Sequence, residues 1–98
     1  MSDLRFEWDP RKAAANRRKH GVSFTEAESV FADEHALLLD DPEHSQTEDR
    51  FVLLGLSSTL RVLVVVHCYR ASEAVIRLIS ARRANGDERR QYDERWAP

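Results

Sequence analysis

Lys12, Asn16, Lys19 and His20 recur at i, i+4, i+7 and i+8. In a globular helix that spacing normally marks the apolar stripe that faces a core. Here it carries two cations, an amide and an imidazole, groups suited to meeting an anion. The plainer alternative is a solvated surface helix whose other side, around Ala13 and Ala14, packs shallowly. Further along, Arg70, Arg77, Arg82 and Arg83 stand within or at the ends of apolar, β-branched runs. A guanidinium is a planar fork that can bond two phosphate oxygens at once. His20 adds an imidazole, the side chain that titrates near neutral pH. A histidine at a helix end can equally bond the last carbonyls and favour the helix dipole. These residue types point to phosphate recognition, with one candidate for proton transfer.

The elements that must hold these residues follow from local signals. Phe6-Glu7-Trp8 is a short strand signal. Asp9 is an N-cap, Pro10 suits the first helical position, and Gly21 suits the residue just past the helix end. Ser23 and Glu26 have capping-box spacing, and Phe24, Ala27, Val30 and Phe31 predict a core helix over 24–32. Strands are predicted over 35–40, 50–57, 61–70 and 75–82, with turns at 41–45, 58–60 and 71–73. Alternation places Arg77 on the face opposite Ile76 and Leu78. A final helix is expected from about 84 to 96, with Gly86 weakening its first turn. The expected architecture is α+β: an antiparallel sheet of about four strands, two N-terminal helices and a C-terminal helix. All helices are expected on one sheet face, leaving the other as a groove.

Ninety-eight residues, 42% of them hydrophobic, suit a single domain over 1–98 with a modest core. No N-terminal stretch has the apolar segment of a signal peptide, and no run approaches a membrane span. A cytoplasmic location without membrane association is the expectation. The single cysteine, Cys68, is expected to pack as a small hydrophobe. Fifteen Lys/Arg against seventeen Asp/Glu give a net charge of −2, whereas nucleic-acid-binding domains are usually basic. The distribution is uneven. Residues 11–20 hold five Lys/Arg and a histidine, while residues 26–49 hold nine Asp/Glu and no Lys or Arg. The acidic segment could suit a basic partner surface, but solubility is the preferred reading. His44, in Asp41-Pro-Glu-His44-Ser45, lacks the three or four ligands a zinc site takes. No metal or other cofactor is expected.

An ordered set of motifs carries a family resemblance. Phe6-Glu-Trp-Asp-Pro-x-Lys12 is followed by Asn16-x-x-Lys19-His20-Gly21-Val22-Ser23-Phe24. Glu26-Ala27, Val30-Phe31 and Asp41-x-x-His44-Ser45-x-x-Glu48-x-Arg50 come next. Arg77-Leu-Ile-Ser80-Ala-Arg82 and Glu88-x-x-x-Tyr92 complete the set. Over roughly residues 5–94 the chain resembles the BrnT family of bacterial toxins. The resemblance implies a RelE-like fold, cleavage of RNA and inhibition of translation. It also implies neutralisation by a BrnA-like ribbon-helix-helix antitoxin, through which the complex meets operator DNA.

Metal-free RNA cleavage needs a base for the 2′-hydroxyl, an acid for the leaving oxygen and cations for the phosphorane. Under the resemblance, His20, Arg70, Arg82 and Tyr92 are the candidate catalytic residues, with the Tyr92 phenol stacking on a base or orienting a phosphate. Lys12, Asn16, Lys19, Arg77, Ser80 and Arg83 are the candidate RNA contacts. These groups are expected between the first helix, the last strands and the C-terminal helix. Arg82 has a second reading as a surface ion pair with Glu88. A second function class also stands: a non-catalytic corepressor that only joins the antitoxin. Net negative charge and the lack of an obvious acid/base pair favour it.

Overall fold

Asp9 and Gly21 bound the first helix as the sequence predicts. In the computed structural model, which describes residues 4–40, 50–70 and 74–95, the Asp9 side chain accepts from the Arg11 amide at 2.8 Å. Gly21 takes φ +70° and donates its N–H to Arg17 O, the left-handed turn that glycine makes without a Cβ clash. The elements in order are β1 (Arg5–Glu7), α1 (Pro10–His20), α2 (Phe24–Ser29) with a 3₁₀ turn (Val30–Ala32), β2 (Leu37–Asp40), β3 (Arg50–Leu56), β4 (Val62–Arg70), β5 (Val75–Arg83) and α3 (Gly86–Glu94). The turns expected at 41–45 and 71–73 lie outside the described residues.

The sheet has five strands in the order β1-β5-β4-β3-β2, not about four. β2 to β5 form the expected antiparallel meander, but β1 pairs parallel to β5, with Arg5 opposite Val75 and Glu7 opposite Arg77. The sheet is therefore mixed. The short Phe6-Glu7-Trp8 signal carries no information about its partner, which lies seventy residues away.

Two cores lie on opposite sides of this sheet. Leu53, Leu63, Val65, Ile76, Leu78 and Ala81 face Val22, Phe24, Ala27 and Val30 of the α1–α2 layer. Leu54, Val62 and Val64 face Tyr92 of α3. The alternation of Leu53/Leu54 and Val64/Val65 between the two cores is the two-residue strand period. The expectation that all helices share one face is thus corrected, because β4 is apolar on both sides and both need cover.

Polar side chains lock the layers. The Asp33 carboxylate accepts from the Leu56 amide at 2.8 Å, the His35 amide at 3.0 Å and the Tyr92 hydroxyl at 2.6 Å. Burial alone would raise the pKa of Asp33, but these bonds to the ionised form outweigh it and the net shift is downward. Gly55 lies in the same region, where a Cβ would meet Ala36 Cβ and Val30 Cγ1 at 2.9 Å. Only glycine lets β3 run this close to the 3₁₀ turn.

The Ser23–Glu26 capping box forms by half. Ser23 Oγ accepts from the Glu26 amide at 3.1 Å, but the Glu26 carboxylate turns to the β3–β4 hairpin. It accepts from Ser57 at 2.7 Å, Thr59 at 2.6 Å and Arg61 Nε at 2.9 Å, and also pairs with Arg61 Nη2. Arg61 Nη2 reaches Gly21 O at 3.2 Å as well.

Asn16 makes the closest tie between α1 and the sheet. Its Nδ2 donates to Ala81 O at 2.8 Å and Val22 O at 3.0 Å, and its Oδ1 accepts from the Ala81 amide at 3.0 Å. Asn16→Ala should cost about 3 kcal/mol in urea unfolding, because buried backbone groups lose their partners. A loss below about 0.5 kcal/mol would show that water replaces the amide.

A pH dependence follows from Glu26. The Arg61 hydrogen bonds, above all, pull its pKa from the ordinary 4.5 to about 2. A carboxylate that is more acidic folded than unfolded stabilises the fold above its unfolded pKa. That contribution should fade as pH falls from about 4.5 to about 2. Thermal melts across this range should show the loss in the wild type and a flatter acid limb in Glu26→Gln.

Candidate nucleic-acid interface

One side of the sheet is covered by α3 at one end and carries arginines at the other. Strand register gives its composition. Arg50 lies opposite Cys68, Cys68 opposite Arg77, and Arg77 opposite Glu7. The next row toward the sheet's end is Arg70, Val75 and Arg5. In the other direction come Val52, Val66 and Ser80, then Leu54, Val64 and Arg82. Neighbouring strands lie about 4.8 Å apart, so these rows bring several guanidiniums together on one face.

A β-bulge makes this possible. Val66 pairs with Ser80 and His67 with Leu78, so Ile79 is an extra residue on β5. Strict alternation would put Arg77 on the opposite face from Ser80 and Arg82. The inserted residue brings all three to the same side, an effect bulges commonly have. Ile76, Leu78 and Ala81 correspondingly share the other core.

Each arginine is held differently. Arg77 Nη1 donates to Glu7 Oε2 at 2.6 Å. Arg82 makes a two-pronged pair with Glu88, Nη1 to Oε1 and Nη2 to Oε2, both at 2.8 Å. The second reading of Arg82 is thus realised in the structure, while its side chain stays 43% exposed. The Arg82 hydrogen bonds push the Glu88 pKa down, so the pair is ionised at neutral pH. Arg70 is exposed. Glu88 also completes a capping box with Asn85, which offsets the weakness of Gly86 at the start of α3.

Several expected site residues separate from this face. Asn16 does not face RNA: it is 7% exposed and its amide is spent on Ala81 and Val22. The i, i+4 spacing placed it correctly on the stripe, but the stripe's middle points into the fold. Tyr92 does not stack on a base: it is 3% exposed, packs on Leu54 and Val64, and donates to Asp33. Lys12 and Lys19 are exposed on α1 and His20 is half-buried at its end. Because α1 packs with the other core, through Ala13, the sheet lies between this helix and the arginine rows. The expected single cleft is two surfaces. Arg83 is exposed and, by register opposite Leu63, belongs to the α1 side. His44 lies outside the described residues.

His67 is fully buried among Phe31 and Tyr69, with ring centroids at 4.8 and 5.3 Å. Burial lowers its pKa, so it is a neutral core residue. Glu88 was expected beside Arg82, and Arg50 and Glu7 were the missed members of the face. Their signal lies in register across strands, which no single run displays. Among the described residues the assembled face holds several cations, two hydrogen-bonded carboxylates and a thiol, and no histidine. Such a surface has the cations and hydrogen-bonding groups that phosphate recognition requires. Among the described residues no group of three or more His, Cys, Asp or Glu could hold a metal.

Comparison with known proteins adds to this geometry. The model of a protein family described as ribonuclease toxin, BrnT, of type II toxin–antitoxin system matches residues 8–88. The Brucella abortus ribonuclease toxin BrnT, known from a crystal structure at 1.1 Å, is 23% identical to this chain. It superposes with a TM-score of 0.66 over 84% of this chain and 97% of that one, a likeness of fold. No curated protein sequence matches.

Proposed function

This chain belongs to the BrnT family of ribonuclease toxins of type II toxin–antitoxin systems, and on that premise we propose that it cuts RNA on the arginine face of its sheet. The bulge at Ile79, which gathers Arg77, Ser80 and Arg82 beside Arg50 and Arg70, is the observation that carries this reading. Guanidiniums fixed on a rigid sheet can meet the charge that grows on a phosphorane without reorganising, which is where electrostatic catalysis is strongest. Arg70 stabilises that charge, while Arg77 and Ser80 position the strand. Arg82 exchanges Glu88 for phosphate, and the released carboxylate becomes available for proton transfer. Tyr92 positions α3, and through it Glu88. His20, Lys12 and Lys19 act on the other side of the sheet, guiding the flanking RNA.

Cleavage on this reading halts translation in the cytoplasm, and no helix among the described residues is long and apolar enough to cross a membrane. A BrnA-like ribbon-helix-helix antitoxin covers the toxin and brings the complex to operator DNA. The sheet is read as RelE-like. A second reading, a non-catalytic corepressor, is favoured by one observation: Arg77 and Arg82 are already neutralised by Glu7 and Glu88.

Expression of the chain alone should arrest bacterial growth, with rescue by the neighbouring antitoxin gene. Arg70→Ala should lower cleavage about a hundredfold and change stability by less than about 0.5 kcal/mol. Arg82→Ala should follow it, with antitoxin pull-down intact. Abundant, folded and harmless wild-type protein would favour the corepressor.

Cleavage should also persist in EDTA, since the cations of the face take the electrostatic part a metal would play. Activity lost in chelator and regained with Mg²⁺ or Zn²⁺ would overturn the metal-free mechanism.

A further inference from the structure

The β3–β4 hairpin holds a strained leucine. Ser57 N donates to Arg61 O at 2.8 Å and Leu60 N to Ser57 O at 3.0 Å, enclosing a three-residue loop. Its last residue, Leu60, has φ +65°, the left-handed position that such loops usually give to glycine. A leucine there is strained by its Cβ, and its side chain gains nothing from the core, being 78% exposed. The loop is held in place by the Glu26 bonds to Ser57, Thr59 and Arg61. Strain maintained by an over-determined surrounding is the pattern of a functional position.

Leu60 borders a cleft of about 180 Å³ lined with Arg61, Val62, Arg83, Ala84 and Arg89. Arg61 is paired with Glu26. The Arg83 and Arg89 guanidiniums have no hydrogen bond or ion pair among the described residues. The cleft is below the roughly 300–1,000 Å³ of a small-molecule site, so it suits one unit of a polymer. Two unneutralised guanidiniums beside an outstanding apolar side chain match a phosphodiester next to an unpaired base. Arg83 directly follows Arg82, whose Nη1 donates to Arg83 O at 3.2 Å. The cleft thus adjoins the end of the arginine rows where α3 begins.

From this we infer that the Leu60–Arg83–Arg89 cleft is a subsite for one nucleotide of single-stranded RNA. Arg83 and Arg89 hold its phosphate, and Leu60 covers the face of its base. The inference rests on the RNA-binding reading above and extends it to a contact outside the cleavage face.

The test is fluorescence anisotropy with a short, non-cleavable 2′-O-methyl RNA, the same oligomer bearing abasic sites, and the purified full chain. Arg83→Ala with Arg89→Ala should weaken binding about tenfold at low salt and lessen the log–log salt slope by about 0.7, the loss of one phosphate contact. Leu60→Gly should weaken binding of the intact oligomer about threefold and spare the abasic one. It should not lower Tm, because glycine adopts φ +65° without strain. An unchanged affinity and slope in the double variant, with Arg70→Ala weakening binding, would overturn the subsite and leave the cleavage face standing. Equal loss with intact and abasic oligomers would remove the base contact. Loss of antitoxin binding with RNA binding intact would make the cleft a protein-docking site and overturn the inference. A wild type that binds neither oligomer would defeat both readings.

Discussion

One side-chain amide closes the open edge of the sheet. β5 runs nine residues, from Val75 to Arg83, but β1 pairs with only three of them. Beyond Arg77 the outer edge of β5 would present backbone groups with no strand to receive them. At Ala81 the Asn16 side chain supplies both an acceptor and a donor, as a neighbouring peptide unit would. Its second N–H binds Val22 O, so the same amide also fixes the turn that leaves α1. Gly21, Arg61 and Glu26 continue this line of contacts into the β3–β4 hairpin. The α1–α2 layer is therefore referenced to the last strand through polar atoms as well as apolar packing.

The bulge sits just before this clamp, and the two are geometrically compatible. An extra residue at Ile79 bends and twists β5 locally, at the stretch where β1 has ended and α1 takes over. The cost is a disturbed ladder. The gain is a sheet face whose like charges are kept from repelling one another by interleaved carboxylates: Glu7 at Arg77 and Glu88 at Arg82. Such partly exposed pairs contribute little stability. Their consequence is that the guanidiniums are aimed by a carboxylate already in place, the arrangement on which the proposed exchange for phosphate rests.

Helix ends and core helices were legible in the sequence because their signals are local. Asp9, Pro10 and Gly21 bound α1 as expected, and Phe24, Ala27 and Val30 are buried in α2 and its 3₁₀ turn. Arg77 does lie opposite Ile76 and Leu78. The failures share one cause, which is information held between distant residues. Asn16 looks like a surface amide until Ala81 is seen beside it. Tyr92 looks available until Asp33 and the second core are placed. The parallel partner of β1 and the bulge are both matters of register between strands. The capping boxes illustrate the point: Ser23–Glu26 had the spacing, but Glu26 found a stronger partner in Arg61, whereas Asn85–Glu88 formed in full while Glu88 also held Arg82.

The parallel pairing of β1 with β5 also dictates when the protein comes into being. Glu7 meets Arg77 across seventy positions of chain, and Asn16 meets Ala81 across sixty-five. Contacts so far apart are slow to form, since the loop between them must be closed first. During synthesis the N-terminal strand and helix leave the ribosome with no partner, and they wait until nearly the whole chain has followed. The arginine rows need β3, β4 and β5 in register, so they form only once Val75–Arg83 has been added. In a chain of this topology the N-terminal strand, the first helix and the last strand therefore become ordered together rather than in the order of their synthesis.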